Sequence, residues 1–298
     1  MKAQFGKKLY RLALSGGLGC PNREGRFGRG GCIFCSEGGS GDFAAEKEHS
    51  ITLQLEEAKA LVAGKLPKRM PYGYVAYFQA YTGTYGPVSK LESMFTEAME
   101  DKEVEVVSIA TRPDCLPEET VDLLARLNRR KPVWVELGLQ TAVSRTAEFI
   151  RRGYPLSCFT EARKKLLKAG IPVIAHVILG LPEEGEEEIL TTIDYLNGQH
   201  IEGIKLQLLH ILEGTDLAEL YRSGRVRALS FEEYENLLFA ALERLQPETV
   251  VHRITGDGPK RLLLAPSWSG DKKWVFNRLH QDMKERGSYQ GKCYQRTF

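Results

Sequence analysis

Apolar stretches of strand length alternate with stretches of helical pattern along the chain from about residue 72 to residue 212. Turns that contain Gly or Pro separate them, as is typical of β-strands and helices in alternation. The apolar stretches cover residues 74–79, 103–111, 133–140, 171–181 and 201–212, and residues 10–14 are a candidate for an earlier strand. Strands joined by helices at this spacing are parallel. The pattern therefore predicts an α/β fold, either a closed or partly closed barrel or an open doubly wound sheet.

The helix that follows residues 103–111 shows how the predicted helices begin and end. It opens at Pro117 with Glu118 and Glu119, and it closes with three basic residues before Pro132. Acids at the start and bases at the end suit the helix dipole. In either kind of parallel sheet the functional residues lie at the carboxyl ends of the strands, and polar residues fall at those places in this sequence.

The composition indicates a folded protein that is not embedded in a membrane. The 298 residues are enough for one large α/β domain with extensions or for two ordinary domains, and the hydrophobic fraction of 42% allows a sizeable core. The net charge of +2 is lower than a dedicated nucleic-acid binder usually has. The longest apolar run, residues 171–181, is interrupted by Pro172 and His176 and is shorter than the roughly 20 residues that span a bilayer.

The six cysteines are distributed unevenly along the chain. Cys20, Cys32 and Cys35 lie within sixteen residues, whereas the others are scattered: Cys115, Cys158 and Cys293. The scattered three have no metal-like spacing and are expected to be unreactive thiols. Secreted disulfide frameworks normally occur in much smaller chains, so the cluster indicates a metal centre in a reducing compartment, the cytoplasm.

Eleven residues separate Cys20 from Cys32, and two separate Cys32 from Cys35. The C-x-x-C pair lets both sulfurs reach one metal centre, and the glycine-rich loop before it permits a tight backbone path. Three thiolates on a four-iron cube leave one iron open. That iron can chelate S-adenosylmethionine (SAM) through its amino and carboxylate groups. The alternative is a structural zinc site, with His49 or another residue as fourth ligand, in a zinc-stabilised binding protein without catalysis.

Five short motifs match a known family. They read GCPNR at 19–23, RGGCIFC at 29–35, YFQAYT at 77–82, ELGLQT at 136–141 and HVILGLP at 176–182. On these motifs the chain resembles the radical SAM family of the bacterial YhcC/YtqA type, from about residue 3 to residue 290. The long cysteine spacing is also similar to that of the more distant Elp3-like and coproporphyrinogen-oxidase-like radical SAM proteins.

The resemblance implies a partial (β/α)6 barrel with N- and C-terminal extensions. It implies a [4Fe-4S] cluster on Cys20, Cys32 and Cys35, with SAM as the second cofactor. An electron donor such as flavodoxin or ferredoxin would then support reductive cleavage of SAM to a 5′-deoxyadenosyl radical. The expected division is a core barrel with the cluster loop in residues 1–245, and a C-terminal extension that packs on the barrel in residues 246–298.

The resemblance also implies a substrate. In the YtqA-like branch the reaction is the conversion of 5-carboxymethylaminomethyl-uridine to 5-aminomethyl-uridine at the wobble position of tRNA. The motifs themselves define only the radical machinery. A radical SAM enzyme that acts on a small metabolite or on a protein is therefore the alternative.

Three residues in or after the strand at 133–140 are candidates for binding SAM: Glu136, Gln140 and Arg152. The strand period of two puts Glu136, Gly138 and Gln140 on one face. The resemblance implies that an acid borne on this strand, Glu136, binds the ribose hydroxyls. Arg152 has the guanidinium geometry that binds a carboxylate in a bidentate manner, which suits the SAM carboxylate. The alternatives are a buried ion pair for Glu136 and a solvated surface position for Arg152.

The turn after the strand at 74–79 stands where many radical SAM enzymes bind the amino group of SAM. Gln79, Tyr81 and Thr82 are the candidate ligands in this turn. The turn lacks the usual double glycine followed by Glu, which leaves open whether side chains or backbone carbonyls bind the amino group. A patch of aromatic residues without a cofactor role is the alternative.

Three polar residues are candidates for catalysis or contact with the substrate. His176 lies within an apolar strand, on the face expected to line the barrel interior. Gln207 and His210 end the next apolar stretch, and their opposite parity means that both face the interior only if a bulge separates them. For His176 the alternative is a satisfied core residue.

Basic residues flank the predicted opening of the site. Near the cluster loop they are Lys2, Lys7, Lys8, Arg11, Arg23, Arg26 and Arg29. In the C-terminal part, basic and aromatic residues are mixed: Lys272, Lys273, Arg278, Lys284 and Arg286 lie among Trp268, Trp274 and Tyr289. This mixture suits contacts with an RNA backbone and stacking on bases. The alternative is a solvated charged surface.

Overall fold

The computed structural model describes residues 5–26, 30–39, 44, 47–67, 70–256 and 258–295. The chain divides into two compact units. The first comprises residues 1–24, 38–138 and 158–173, and the second comprises residues 25–37, 139–157 and 174–298. The predicted division at residue 245 into a core and a C-terminal extension stays a prediction.

Four parallel strands, in the order β1-β2-β3-β4, belong to the first unit. They are β1 (Lys8–Leu14), β2 (Tyr72–Phe78), β3 (Val104–Thr111) and β4 (Val133–Gln140), of which the last two residues of β4 are counted with the second unit. Nearly every residue of β2 is buried, as is typical of a parallel strand covered on both faces. Tyr77 of β2 pairs in register with Ala13 of β1 and Ser108 of β3. The carboxyl ends of these three strands therefore lie at one edge of the sheet.

Helices of the first unit present one apolar face each. They are α1 (Ile51–Val62), α2 (Val88–Glu100), α3 (Glu118–Asn128) and α5 (Leu156–Lys168), with short 3-10 helices at Ala63–Lys65 and Pro113–Cys115. In α2 the buried residues Leu91, Phe95 and Ala98 recur every three or four positions, which is the spacing of a helix face. The ring of Phe95 packs edge to face on Phe78 of β2 at 5.0 Å between centroids. This contact fixes α2 on the sheet.

The second unit has its own parallel strands, in the order β5-β6-β8. Its strands are β5 (Val173–Leu179), β6 (Gly203–Leu208), β8 (Val250–Arg253) and the short antiparallel pair β7 (Ile211–Leu212) and β9 (Leu263–Ala265). Its helices are α4 (Ser144–Phe149), α6 (Glu186–Gly198), α7 (Asp216–Arg222), α8 (Phe231–Arg244) and α9 (Lys272–Glu285), with a 3-10 helix at Ser267–Gly270. None of the described helices is long and apolar enough to cross a membrane.

The six strands predicted from the hydrophobic pattern are confirmed as β1 to β6, with bounds that differ by a few residues. The stretch at 201–212 is divided, because β6 ends at Leu208 and β7 begins at Ile211. The strand β8 was not predicted. It is only four residues long, lies at the end of the strand order, and is partly exposed, so its alternation of apolar and polar residues is weak.

Candidate cofactor and substrate site

The turn that contains Cys20 lies in the first unit, shortly after β1. The Cys20 carbonyl accepts hydrogen bonds from the backbone N–H groups of Arg23 (2.9 Å) and Glu24 (3.0 Å). The Glu24 carboxylate accepts a hydrogen bond from the Tyr85 hydroxyl (2.9 Å). It also lies against Gly19, where an added Cβ would come 2.0 Å from a Glu24 oxygen. A side chain at position 19 would therefore displace the Glu24 carboxylate from this contact. The two hydrogen bonds to the Cys20 carbonyl fix the backbone of the turn.

The C-x-x-C pair lies in the second unit and forms a turn of its own. The Cys35 N–H donates to the Cys32 carbonyl at 3.1 Å. Between them, Ile33 is buried and is anchored on both sides, because its N–H donates to Ile150 and its carbonyl accepts from the Leu217 N–H. The packed isoleucine fixes the backbone of the two flanking cysteines.

The donor set suits an iron–sulfur cluster more than a hard cation. Cys20, Cys32 and Cys35 are free thiols that are all partly buried, and soft thiolates select soft metals and Fe–S clusters. The described residues include no group of three or more His, Cys, Asp or Glu side chains placed to hold a single metal ion. In a four-iron cluster each thiolate binds a different iron, so its ligands do not converge on one atom. His49, the fourth ligand of the zinc alternative, lies 3.0 Å from a carboxylate oxygen of Glu57.

Two of the scattered cysteines, Cys115 and Cys293, have environments that favour the neutral thiol. Burial, and secondly the nearby Asp114 charge, raise the pKa of Cys115 to about 12. The pKa of the exposed Cys293 is also raised, chiefly by its hydrogen bond to Glu243. The thiolate is the reactive form of cysteine, so both features agree with the expectation of unreactive thiols.

The turn after β2 is tied to three other segments of the first unit by its backbone. Its N–H groups donate to carbonyls as follows: Gln79 to Leu14 (3.2 Å), Tyr81 to Gly39 (2.8 Å) and Thr82 to Gly19 (3.2 Å). The last of these bonds links the turn directly to the residue before Cys20. The predicted SAM turn and the first predicted cluster ligand are therefore structurally coupled.

Tyr81 adopts a left-handed backbone conformation, with φ of 55°, which is uncommon for a residue with a side chain. Its ring packs on the backbone of Gly39, where an added Cβ would come 2.3 Å from the ring. The guanidinium carbon of Arg23 lies 5.7 Å from the centroid of the same ring. Tyr81 lies beyond the end of β2 at Phe78, so strand alternation does not predict which way its side chain faces.

Thr82 has a buried hydroxyl without a hydrogen-bond partner. The residue is 1% exposed, and its Oγ1 forms no hydrogen bond within the described structure. Its neighbour Thr84 is different, because that hydroxyl bonds both the Thr111 hydroxyl and the Cys115 carbonyl, each at 2.6 Å. Buried hydroxyls are nearly always paired, and leaving one unpaired costs about 1–3 kcal/mol. Thr82 can therefore pair with a polar group of a ligand such as SAM.

Glu136 of β4 is completely buried, and the partners of its oxygen Oε1 include Ser108 and Arg11 of the first unit. The Ser108 hydroxyl donates to it at 2.7 Å, and Nη1 of Arg11 lies 3.3 Å away. The Arg11 guanidinium also lies over the ring of Tyr77, at 5.1 Å. The ion pair considered as the alternative for Glu136 is therefore present. A contact with the SAM ribose stays a prediction.

Arg152 is 2% exposed, so the surface position considered as its alternative is wrong. Its Nη1 donates to the carbonyls of Leu139 (2.8 Å) and Thr141 (2.6 Å), and its Nε donates to the backbone carbonyl of Tyr154 (3.2 Å). These bonds bracket Gln140, which has φ of 63° and accepts a hydrogen bond from the Tyr154 hydroxyl. Arg152 thus holds the backbone at the end of β4. Binding of the SAM carboxylate by Arg152 stays a prediction.

His176 and Gln207 lie on neighbouring strands of the second unit. His176 of β5 pairs in register with Lys205 of β6, and Lys205 in turn pairs with Arg253 of β8. Lys205 is 1% exposed and was missed in the sequence. The sequence feature that could have identified Lys205 is its position in an otherwise apolar strand, two residues before Gln207. This spacing places both side chains on the same face of the strand. A fully buried lysine is rare and needs polar neighbours.

His210 lies just after β6 and is held as a neutral imidazole. Burial, and secondly the positive charge of Lys272, lower its pKa to about 4. Gly256 and Gly258 lie against its ring, where an added Cβ would come 2.9 Å and 3.2 Å from ring atoms. Since β6 ends at Leu208, the difference in parity between Gln207 and His210 no longer decides which way His210 faces.

The basic residues near the cluster loop are largely engaged within the first unit. Lys7 pairs with Glu105 at 2.6 Å, Lys8 lies over the Tyr10 ring at 4.6 Å, and Arg11 pairs with Glu136. Lys2 and Arg29 lie outside the described residues. Structural pairing of this kind weakens the case for an RNA surface at the N-terminal strand.

Comparison with solved structures identifies the fold. The structure superposes on the archaeal Methanocaldococcus infernus Elp3, which lacks its N-terminal residues, with a TM-score of 0.70 over 95% of this chain and 64% of that chain. The sequence identity is 15%, so this likeness concerns the fold alone. It confirms the predicted α/β fold of the partial (β/α)6 barrel type.

Family models match both parts of the chain. The Radical SAM superfamily model matches residues 17–196, and the Radical_SAM C-terminal domain model matches residues 201–285. The fold and these matches define the class: a radical SAM protein.

Within that class, the chain belongs to the family of YtqA and YhcC. It is 43% identical to the uncharacterized protein YtqA of Bacillus subtilis, over 99% of this chain and 91% of that protein. It is 36% identical to the protein YhcC of Escherichia coli K12, over 95% of this chain and 90% of that protein. The resemblance inferred from the motifs is therefore confirmed.

Proposed function

We propose that this protein is a radical SAM enzyme with a [4Fe-4S] cluster on Cys20, Cys32 and Cys35. The observation that supports this most is the pair of backbone-fixed turns that present the three thiols, one of which is bonded to the predicted SAM turn through Gly19 and Thr82. When bound, the cluster and SAM supply reductive cleavage of a C–S bond and a carbon radical that abstracts hydrogen. The protein residues position the reactants and exclude water.

The predicted SAM ligands form three groups, and each group binds or positions a different part of SAM in this proposal. Gln79, Tyr81 and Thr82 bind the amino acid end of SAM, and the orphaned Thr82 hydroxyl is the group best prepared for it. Glu136 and Gln140 face the ribose. Arg152 acts as a positioning residue that holds the backbone around Gln140, in addition to its predicted contact with the carboxylate.

The substitution Thr82→Val tests the SAM assignment through two opposite effects. Valine keeps the shape and removes a hydroxyl that has no protein partner. The free energy of unfolding without SAM should therefore stay equal or rise by about 1 kcal/mol. The affinity for SAM should fall about tenfold, because one hydrogen bond is lost. Urea denaturation and calorimetric titration of the cluster-loaded protein with SAM measure the two quantities.

Thr84→Val is the matched control. Its hydroxyl has two buried partners, so this variant should lose about 1–2 kcal/mol of stability. Its affinity for SAM should change little. If Thr82→Val destabilises the protein as Thr84→Val does and binds SAM normally, Thr82 is a structural residue and not a cofactor ligand.

We infer that the substrate is tRNA and that the reaction is the conversion of 5-carboxymethylaminomethyl-uridine to 5-aminomethyl-uridine at the wobble position. The resemblance of the motifs to the YtqA-like branch supports this substrate. His176, Gln207 and His210 are the residues proposed to face it. His210, with its pKa lowered to about 4, would do so as a neutral hydrogen-bonding group. The enzyme would act in the cytoplasm with an electron donor such as flavodoxin or ferredoxin.

Nucleoside analysis of tRNA from cells that lack this protein tests the substrate. The carboxymethylaminomethyl nucleoside should accumulate, and the aminomethyl nucleoside and any product made from it should disappear. A plasmid that encodes the wild-type protein should reverse both changes, whereas Cys32→Ala should not. An unchanged nucleoside profile would exclude this reaction and leave a small metabolite or a protein as the substrate.

A further inference from the structure

The second unit has an open pocket beside its last parallel strand. The pocket has a volume of about 370 Å³ and is lined by residues 251–255, which include the end of β8, and by Lys272 and Phe276 on the first turns of α9. None of the cofactor or substrate residues proposed above lines this pocket. Its chemistry is therefore a separate question.

The lining of the pocket is basic and aromatic. Three basic residues, His252, Arg253 and Lys272, are among the lining residues, which include no acid. A concave surface of one charge sign concentrates its potential and attracts oppositely charged groups. Guanidinium and ammonium groups are preferred partners of phosphate oxygens. Phe276 also lines the pocket and is 47% exposed, and an exposed aromatic ring suits stacking of a base.

Other basic and aromatic residues of the C-terminal part are engaged inside the protein. Arg278 pairs with the buried Asp282 at 2.7 Å, and Arg286 pairs with the buried Glu235 at 2.5 Å. The Trp268 indole N–H donates to the Leu229 carbonyl at 3.0 Å. Part of the mixture of basic and aromatic residues seen in the sequence therefore has a structural role, and another part lines the pocket.

The pocket lies next to His210. Lys272 is close enough to His210 for its charge to contribute to the lowered pKa. Thr255, at one end of the lining, precedes Gly256, which packs against the His210 ring. His210 follows the carboxyl end of β6, and the carboxyl ends of parallel strands are where α/β enzymes bind their substrates. A ligand in the pocket would therefore reach the side of the unit where the substrate is expected.

We propose that the pocket formed by Arg253, His252, Lys272 and Phe276 binds a backbone phosphate of an RNA substrate, with an adjacent base stacked on Phe276. A phosphate and a planar ring in one small site are the two features that a nucleotide presents. This inference rests on the proposed RNA substrate and adds to it a definite contact point.

The pair Lys272→Ala and Lys273→Ala tests the pocket. Both lysines are exposed and adjacent in α9, but only Lys272 lines the pocket. Binding of fluorescently labelled tRNA to the cluster-loaded enzyme is measured by anisotropy between 50 and 300 mM KCl. Lys272→Ala should weaken binding about 3–10-fold and reduce the slope of log Kd against log salt by about 1, the value for one lost phosphate contact. Lys273→Ala should change Kd less than about twofold.

Phe276→Leu separates stacking from charge. It should weaken tRNA binding about 5-fold or more, because stacking on one base contributes about 1–3 kcal/mol, and it should leave the salt slope unchanged. Reductive cleavage of SAM in the absence of RNA should be the same in all three variants and in the wild type, because none of these residues is assigned to the cofactors.

The outcomes distinguish the two proposals. If the wild-type enzyme does not bind tRNA even at low salt, the RNA substrate itself is wrong. If the wild type binds tRNA and the two lysine variants bind it equally, the pocket proposal is overturned and the RNA substrate stands. If inorganic phosphate or AMP protects Lys272 from acetylation but tRNA does not, the pocket takes a small phosphorylated ligand, and the RNA contact proposed here is wrong.

Discussion

Replacing Cys32 with alanine is expected to abolish reductive cleavage of SAM while the protein stays folded. Two thiolates cannot hold a four-iron cluster stably, so iron should fall from roughly four atoms per chain to well below one. The fold should survive because the backbone of this turn is fixed by Ile33, which is buried and bonded to Ile150 and Leu217 independently of the sulfur. Iron and sulfide content, visible absorption and 5′-deoxyadenosine formation with dithionite are measured after anaerobic reconstitution.

Cys158→Ala is the matched control for Cys32→Ala. Cys158 is a partly buried free thiol, as Cys32 is, but it lies in α5 and has no predicted metal role. This variant should bind iron and cleave SAM as the wild type does. Formation of 5′-deoxyadenosine by Cys32→Ala would contradict the cluster assignment. A colourless wild-type protein with one bound zinc would replace it with the zinc alternative.

The positions of the strands along the chain were accessible from the sequence because each strand repeats the same signal. Buried parallel strands are continuous apolar runs, and β2 to β6 show such runs clearly. The bounds and the unpredicted β8 depend instead on tertiary pairing, which a run of four partly exposed residues does not reveal. The same limit applies to His210, because alternation predicts a face only while the strand continues.

Residue types in the site were predictable, but their partners were not. The strand period and the family resemblance identified Glu136 as a candidate for binding SAM, and the geometry of the guanidinium identified Arg152. It could not show that Glu136 pairs with Arg11, which lies more than one hundred residues earlier in the chain. It also could not show that the Arg152 guanidinium bonds three backbone carbonyls. Such pairings depend on three-dimensional proximity, and hydrophobic periodicity does not encode them.

Arg11→Met is expected to destabilise the protein strongly, because it leaves the buried Glu136 carboxylate with too few partners. Methionine keeps much of the apolar contact that the arginine stem makes, including the packing on Tyr77. The loss is therefore mainly electrostatic. Removing one partner of a buried ion pair costs about 3–5 kcal/mol. The lower end, about 3 kcal/mol, is expected because the Arg11 side chain is 21% exposed and Ser108 still donates to Glu136. Urea denaturation without SAM measures it.

The double variant Arg11→Met with Glu136→Gln decides between the two roles of Glu136. Glutamine is neutral and can still accept the Ser108 hydrogen bond, so the double variant should regain about 2 kcal/mol of the loss, a coupling that a double-mutant cycle isolates. Affinity for SAM is measured on the same proteins. If Glu136→Gln weakens SAM binding about tenfold, the carboxylate serves both the ion pair and the ribose. A buried charge that loses its partner lowers the free energy of unfolding. If neither single variant changes the stability without SAM, the ion pair therefore does not stabilise the fold.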